Sequence, residues 1–355
     1  MANQYEKSNI SIANSTNRID FRSDTVTLPT EGMFQAISEA RLGDDVYGED
    51  AATNELQDYA ADLLGKEAAL FFPTGTQSNL GAILSHCQRG DEALIGKEYH
   101  TNVYEAQGAS VLGGVGICPI DTDSCGGVNL NNLLSQIKAD DSHFAITTLL
   151  CLENTVSGRV QSQEKVNKLV AVAHARGLKV HMDGARLFNA HIHTGLSMSQ
   201  LCADLDSVSI CLSKGLGAPA GSLLAGDNET INKAKRLRKI LGGGMRQVGV
   251  LAACGMYALN NNITRLQEDH DNARRLSLGL SRCDGLRVDM NEAQTNMTFF
   301  DCLEEHREGL QQFLLENNIL TPKLSSSSRL VCHLGVSAAD VDFTVNVFQR
   351  YFNNK

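Results

Sequence analysis

The chain has 355 residues, 42% of them hydrophobic and 20% charged, with a formal net charge of −10. That size and balance suit a globular protein with one large domain and a smaller one. The net acidity argues against nucleic acid and anionic membranes as general partners, and no stretch has the ~20 apolar residues of a spanning helix.

Residues 1–18 are polar, rich in Ser and Asn, and lack the apolar stretch of a secretory signal, so they are expected to form a flexible arm. From about residue 50 to 226 helical and strand patterns alternate. A helix over 54–64 precedes a strand at 68–72, and a second helix covers 77–86. Strands follow at 92–95, 115–120, 146–153, 179–182, 207–212 and 221–225, with a helix at 163–176 that closes on Gly177. Strands separated by helices imply an α/β fold with a mostly parallel, seven-stranded sheet flanked by helices. Such sheets bind ligands at the carboxyl ends of their strands, marked here by Pro73, Asp183 and Lys214.

Beyond Gly226 the pattern turns helical, at 229–239, 247–259 and 263–280. Strands at 286–290, 297–302 and 329–333 and helices at 305–316 and the C-terminus then form a small α+β domain. Val341, Val345, Phe348 and Phe352 make the apolar stripe of the last helix. The expected division is an arm at 1–18, a large domain at 19–263 and a small domain at 264–355. None of the ten cysteines forms a Cys-x-x-Cys pair. Several fall in apolar strands and read as core residues of a protein in a reducing compartment, the cytoplasm.

Three positions invite chemistry. Lys214 ends the apolar run Ser207–Leu212 and is followed by glycines. A lysine against an apolar wall loses solvation of its charged form, and its neutral amine then attacks carbonyls as a Schiff-base nucleophile. The bland alternative is a solvated cap. Pro73-Thr74-Gly75-Thr76 lies where a strand gives way to a helix, so Gly75 and Thr76 would offer amides and a hydroxyl to a phosphate, or merely cap the helix. No Gly-Lys-Ser/Thr follows, which excludes a Walker loop. Asp183 ends the strand Lys179–Met182 and could pair with a protonated ring nitrogen, and His100 could stack on such a ring or act as a base. The basic run Lys233–Lys239 reads as a solvated helix face.

Six motifs occur in order: Asp20–Thr27, Gly43–Asp50, Pro73–Gln77, His181–Arg186, Ser213–Gly217 and Gly242–Gln247. Together they closely resemble the low-specificity L-threonine aldolases, pyridoxal-phosphate enzymes of the aspartate aminotransferase type, fold type I. The resemblance runs from about Ile19 to the C-terminus. It implies Lys214 as the lysine that carries pyridoxal 5′-phosphate, Asp183 as partner of the pyridine nitrogen and His100 stacked on the ring. It also implies Gly75 and Thr76 as phosphate ligands, joined by Lys239 and Arg246 from a neighbouring subunit. Ser23, Arg186 and Arg329 match positions that hold the substrate carboxylate. Tyr47 matches a residue contributed across a dimer interface, and His143 a second active-site histidine.

The implied activity is cleavage of threonine, allo-threonine and other β-hydroxy-α-amino acids to glycine and an aldehyde. A homo-oligomer is implied, a dimer at least and a tetramer by preference. Which group serves as base stays open among His100, His143 and a bound water, with His100 and a water it positions ahead. Other pyridoxal-phosphate reactions, namely β-elimination, racemisation or transamination, share the ring chemistry. From another class, a metal-dependent hydrolase would use His181, Asp183, His191 and His193. Their spacing matches no helical metal pair, and the sequence calls for no metal.

Overall fold

The computed structural model describes residues 18–291 and 293–353. The expected arm at 1–18 lies outside this range except for Arg18. Among the described residues the strands are β1 (Ile19–Asp20), β2 (Ala68–Phe72), β3 (Asp91–Gly96), β4 (Gly116–Ile120), β5 (Ile146–Glu153), β6 (Lys179–Gly184), β7 (Ser207–Cys211), β8 (Ser222–Gly226), β9 (Leu286–Val288), β10 (Met297–Cys302), β11 (Ile319–Leu320) and β12 (Ser328–Val331). The described residues divide into two compact units, one spanning Pro29–Ile263 and the other joining residues 18–28 to those from Thr264 onward.

The larger unit holds one seven-stranded sheet, ordered β2-β8-β7-β6-β5-β3-β4. The pairs β3–β4, β3–β5, β5–β6 and β6–β7 are parallel, whereas β8 runs antiparallel to both β7 and β2. Strands enclosed on both faces need apolar side chains at successive positions. Leu149 to Leu152, and Val208, Ile210, Leu223, Leu224 and Ala225, are accordingly buried. Gly221 enters β8 with φ +111°, and a Cβ there would meet the Phe71 ring at 2.6 Å, so the turn from β7 back into β8 requires glycine.

The helix Gly75–His86 follows β2 directly. The Thr74 side chain caps it by accepting from Gln77 N, and its inner face buries Ser78, Asn79, Ala82 and Ile83. The carboxyl edge of β2 therefore delivers a helix N-terminus, and Asn79 comes one turn below it. A second anchor fixes the loop before the first long helix. Arg238, on the helix Asn228–Ile240, forms a buried 2.6 Å ion pair with Asp45 and donates to Phe71 O at 2.8 Å.

The other unit contains the antiparallel sheet β12-β10-β9 and the parallel pair β1–β11. Phe21, Leu276, Leu280, Phe300, Leu310 and Phe348 belong to its core. The segment 19–28, expected in the large domain, belongs here instead. Ile19 and Asp20 pair with Ile319 and Leu320, and Val331 N donates to Phe21 O. A two-residue strand is too short to show periodicity, so its partner could not be read from the chain.

Candidate active site

Three strand ends of the larger sheet bring polar side chains to one edge. Glu153, Asp183 and Ser209 occupy one row across β5, β6 and β7, in register. Asp183 is buried. Its Oδ1 accepts from Ala185 N at 3.0 Å and its Oδ2 from Asn79 Nδ2 at 2.9 Å. Ser209 Oγ donates to Ser78 Oγ at 2.6 Å, tying the same row to the helix Gly75–His86.

His100 begins a short helix, His100–Val103, after β3. Its backbone N–H donates to Glu153 Oε2 at 2.6 Å, and its Nδ1 lies 2.8 Å from Glu105 Oε1. Glu105 is only 8% exposed. The same Asn79 Nδ2 that serves Asp183 also donates to Glu105 Oε1, at 2.9 Å. One amide thus couples the two carboxylates. Burial pushes the Glu105 carboxyl up, with the His100 hydrogen bond acting against it. Glu153 rises to about 8, through burial first and the neighbouring Asp183 second, while the charges of Lys214 and Arg186 act to lower it.

Lys214 lies in the turn after β7, where Gly217 N donates to its carbonyl at 2.8 Å and Gly217 takes φ +78°. Arg186 immediately precedes the helix Leu187–Thr194, three residues beyond Asp183. At the start of the helix Gly75–His86, Gln77 N and Ser78 N bond to Thr74, and the first amides of any helix have no acceptor inside it. Beside them is Ser222 Oγ, buried and without a hydrogen-bond partner. A Cβ on Gly75 would stand 3.4 Å from that hydroxyl, so glycine keeps the space between them clear. An unpaired buried hydroxyl costs free energy unless a ligand satisfies it. Amides, a free hydroxyl and a helix N-terminus could hold a phosphate, and an amine at Lys214 and a carboxylate at Asp183 could meet the rest of a pyridoxal phosphate.

A beta-eliminating lyase family model matches residues 20–303. The chain is 49% identical over 319 residues to a low specificity L-threonine aldolase of Escherichia coli K12, covering 90% of this chain and 95% of the relative. The chain belongs to the beta-eliminating lyase family, among the low-specificity L-threonine aldolases. As a member of that family it is a lyase. Its fold matches a threonine aldolase of Leishmania major with TM-score 0.80 at 20% identity, over 94% of this chain and 99% of that one. It also matches a serine palmitoyltransferase from S. paucimobilis with bound PLP, with TM-score 0.73 at 17% identity over 95% and 87% of the two chains. These likenesses give the pyridoxal-phosphate fold type I architecture.

Within the larger unit of this family member, Gly75, Thr76, His100, Asp183, Arg186 and Lys214 all fall at the carboxyl edge of the sheet. Ser23 and Arg329 belong to the other unit, Ser23 capping a 3₁₀ turn and Arg329 on β12. Tyr47 is 77% exposed on the turn that Asp45 anchors. Lys239 is exposed at the end of its helix, and Arg246 pairs with Asp44 at 3.0 Å. Gln77 Nε2 donates to Leu241 O at 3.0 Å, so the turn between Lys239 and Arg246 lies beside the first turn of this chain's own helix Gly75–His86.

His143 is not brought to the cluster within one chain. It lies in a surface loop before β5, bonded to Asp141 at 2.6 Å, whereas Glu153 and Asp183 end their strands at the opposite edge. The seven residue steps of β5 span about 23 Å and three linking residues reach back about 10 Å at most, which leaves a gap on the order of 10 Å. A catalytic part for His143 therefore requires a neighbouring subunit. The hydrolase set does not assemble: His181 is buried among Asn79 and Ser207, and His191 Nδ1 bonds Leu196 O at 2.6 Å. Among the described residues the cluster with metal-ligand spacing is His100, Glu105 and Asp183, whose two carboxylates Asn79 already links while His100 bonds to Glu105.

Glu105, Asn79 and Glu153 were missed from the sequence. Glu153 carried a readable signal, an acid ending an apolar strand like Asp183. Asn79 and Glu105 carried none, because their partners are distant in the chain.

Proposed function

We propose that the protein cleaves the Cα–Cβ bond of L-threonine, L-allo-threonine and related β-hydroxy-α-amino acids to glycine and an aldehyde, with pyridoxal 5′-phosphate carried on Lys214. The observation that carries this reading is the meeting of Asp183, His100, Lys214 and the Gly75–Ser222 cradle at one sheet edge. When bound, the cofactor supplies an electron-accepting cationic ring joined to the substrate amine.

The chain's own residues do the rest. Lys214 would supply the amine that holds the cofactor. Asp183, fixed by Ala185 N and Asn79, would accept the ring N–H and keep the ring cationic. The amides at Gly75 and Thr76 and the Ser222 hydroxyl would hold the phosphate. His100, with Nδ1 committed to Glu105, presents Nε2 as the acceptor for the β-hydroxyl proton, directly or through water. Arg186 offers a guanidinium fork to the substrate carboxylate. Ser23 and Arg329 are assigned to that carboxylate by family resemblance alone.

Tyr47, Lys239, Arg246 and His143 serve a neighbouring subunit's site in this reading, so the working form is a homo-oligomer, a tetramer by preference, in the cytoplasm. Purified protein supplied with pyridoxal phosphate and L-threonine should release acetaldehyde and glycine in equal amounts. Ammonia, a keto acid or the D-isomer as sole product would instead mean elimination, transamination or racemisation.

A further inference from the structure

Behind Asp183 and its partner Asn79 a hydrogen-bonded chain continues through residues that the proposed chemistry does not use. Asn79 Nδ2 lies 2.9 Å from both Asp183 Oδ2 and Glu105 Oε1. Both partners are carboxylate oxygens, so the amide nitrogen faces them and Asn79 Oδ1 faces the other way, 3.2 Å from His181 Nε2. An amide oxygen only accepts, so His181 Nε2 carries the hydrogen. Burial drives the His181 imidazole down to about 3, which leaves it a single ring proton. Its Nδ1 is then an acceptor, and Ser207 Oγ, 2.8 Å away, donates to it. The Ser207 oxygen in turn accepts from His86 Nε2 at 2.8 Å. His86 is also held neutral, lowered to about 4 by burial, with Asp206 and Asp227 opposing the shift and Lys179 and Lys233 assisting it. His86 assists the shift at His181, while Asp183 and a hydrogen bond to the Ser207 backbone oppose it.

Every hydrogen in this chain points toward the carboxyl edge of the sheet. His181 and Asp183 are two residues apart on β6 and share a face, and His181 pairs in register with Ser207, the first residue of β7. Asn79, His181 and Ser207 are all buried.

We infer that Asn79 and His181 are positioning residues for the cofactor ring: a chain of one polarity, His86 to Ser207 to His181 to Asn79, holds the Asp183 and Glu105 carboxylates oriented as acceptors. This rests on the pyridoxal-phosphate reading. The chain does not conduct protons, because its last member is an amide that releases none. It acts as a fixed row of dipoles ending on the ring's acid partner and, through Glu105, on His100. Outer partners of metal ligands typically change affinity or activity about 10- to 100-fold when removed, and the same scale is expected here.

Neutron diffraction from perdeuterated holoenzyme crystals tests the polarity directly. Deuterium is expected on Nε2 of His181 and His86 and absent from both Nδ1 atoms; deuterium on His181 Nδ1 overturns the inference. In parallel, pyridoxal phosphate affinity is measured by cofactor absorbance for His181→Leu and His181→Gln, with the melting temperature of each apoprotein. The leucine variant should bind the cofactor about 10- to 100-fold more weakly, while glutamine, whose amide donates to Asn79, should restore affinity to within about threefold of the native protein. Unchanged cofactor affinity in His181→Leu, or equal losses in both variants that follow melting temperature, would reduce His181 to a core residue. If the leucine variant does not fold, the neutron map decides. Failure of the native protein to take up the cofactor would sink the pyridoxal-phosphate reading itself, which the hydrogen positions alone do not address.

Discussion

Glu153 and Asp183 are register partners on the parallel strands β5 and β6, and both acids end their strands at the edge where Lys214 follows β7. Two enclosed carboxylates side by side do not both ionise readily. Burial first and the neighbouring Asp183 second raise Glu153 to about 8 from its usual 4.5.

A raised carboxyl adds stability that is fully present below its unfolded value and lost as pH climbs through the folded one. Native protein should therefore lose resistance to urea between pH 6 and pH 9, and Glu153→Gln should lose less. At pH 7 the variant swaps one neutral side chain for another, so threonine cleavage is expected to stay within about threefold of native. Parallel stability curves for the two proteins would contradict this assignment.

His181 and His86 act in the opposite sense at acid pH. Both are lowered by burial, to about 3 and about 4 from 6.5, so the unfolded chain binds their protons first. Stability present above pH 6.5 is lost as pH falls toward 3, by up to about 1.4 kcal/mol per pH unit for each proton taken up. Urea midpoints measured at pH 7, 5.5 and 4.5 should fall accordingly, and midpoints that hold steady would count against neutral buried imidazoles.

Asp45 and Arg238 form a buried pair at 2.6 Å, with side chains 5% and 4% exposed. Removing the acid strands the guanidinium, which costs about 3–5 kcal/mol in such settings. Asp45→Ala should lower the unfolding free energy by that order, measured at fixed protein concentration because association contributes to stability. A loss below about 1 kcal/mol would mean that water reaches the pair.

The placement of His143 gives a complementation test. Lys214→Ala subunits should be inactive and His143→Ala subunits impaired. Mixed oligomers should regain about a quarter of native activity, since half the pairs are hybrid and one site in each has both residues. A mixture no more active than its parts would confine His143 to the surface of its own chain.

The sheet was largely legible because enclosed parallel strands write continuous apolar runs, and each of its seven strands was anticipated within a few residues. Asp183, Lys214 and Gly75 were legible for a related reason: a polar residue or glycine that ends an apolar run marks a strand's carboxyl end. The site's supporting groups were not. Asn79 meets Asp183 across 104 positions and His181 across 102, and such pairings exist only once the helix Gly75–His86 lies against the sheet. β1 failed for the same reason, its partner β11 lying some 300 residues away. His143 shows the reverse limit, for a matching motif position gave no sign of which subunit's site it could reach.

The central claim is that Lys214 carries the cofactor, and borohydride trapping tests it most directly. Native protein loaded with pyridoxal phosphate is reduced with borohydride, digested and mapped by mass spectrometry. The account requires a pyridoxyl label on Lys214, prevented by prior addition of excess glycine and missing in Lys214→Ala, which should also lose at least about 10³-fold in threonine cleavage. Label on another lysine, or none in a protein that still cleaves threonine, would contradict it.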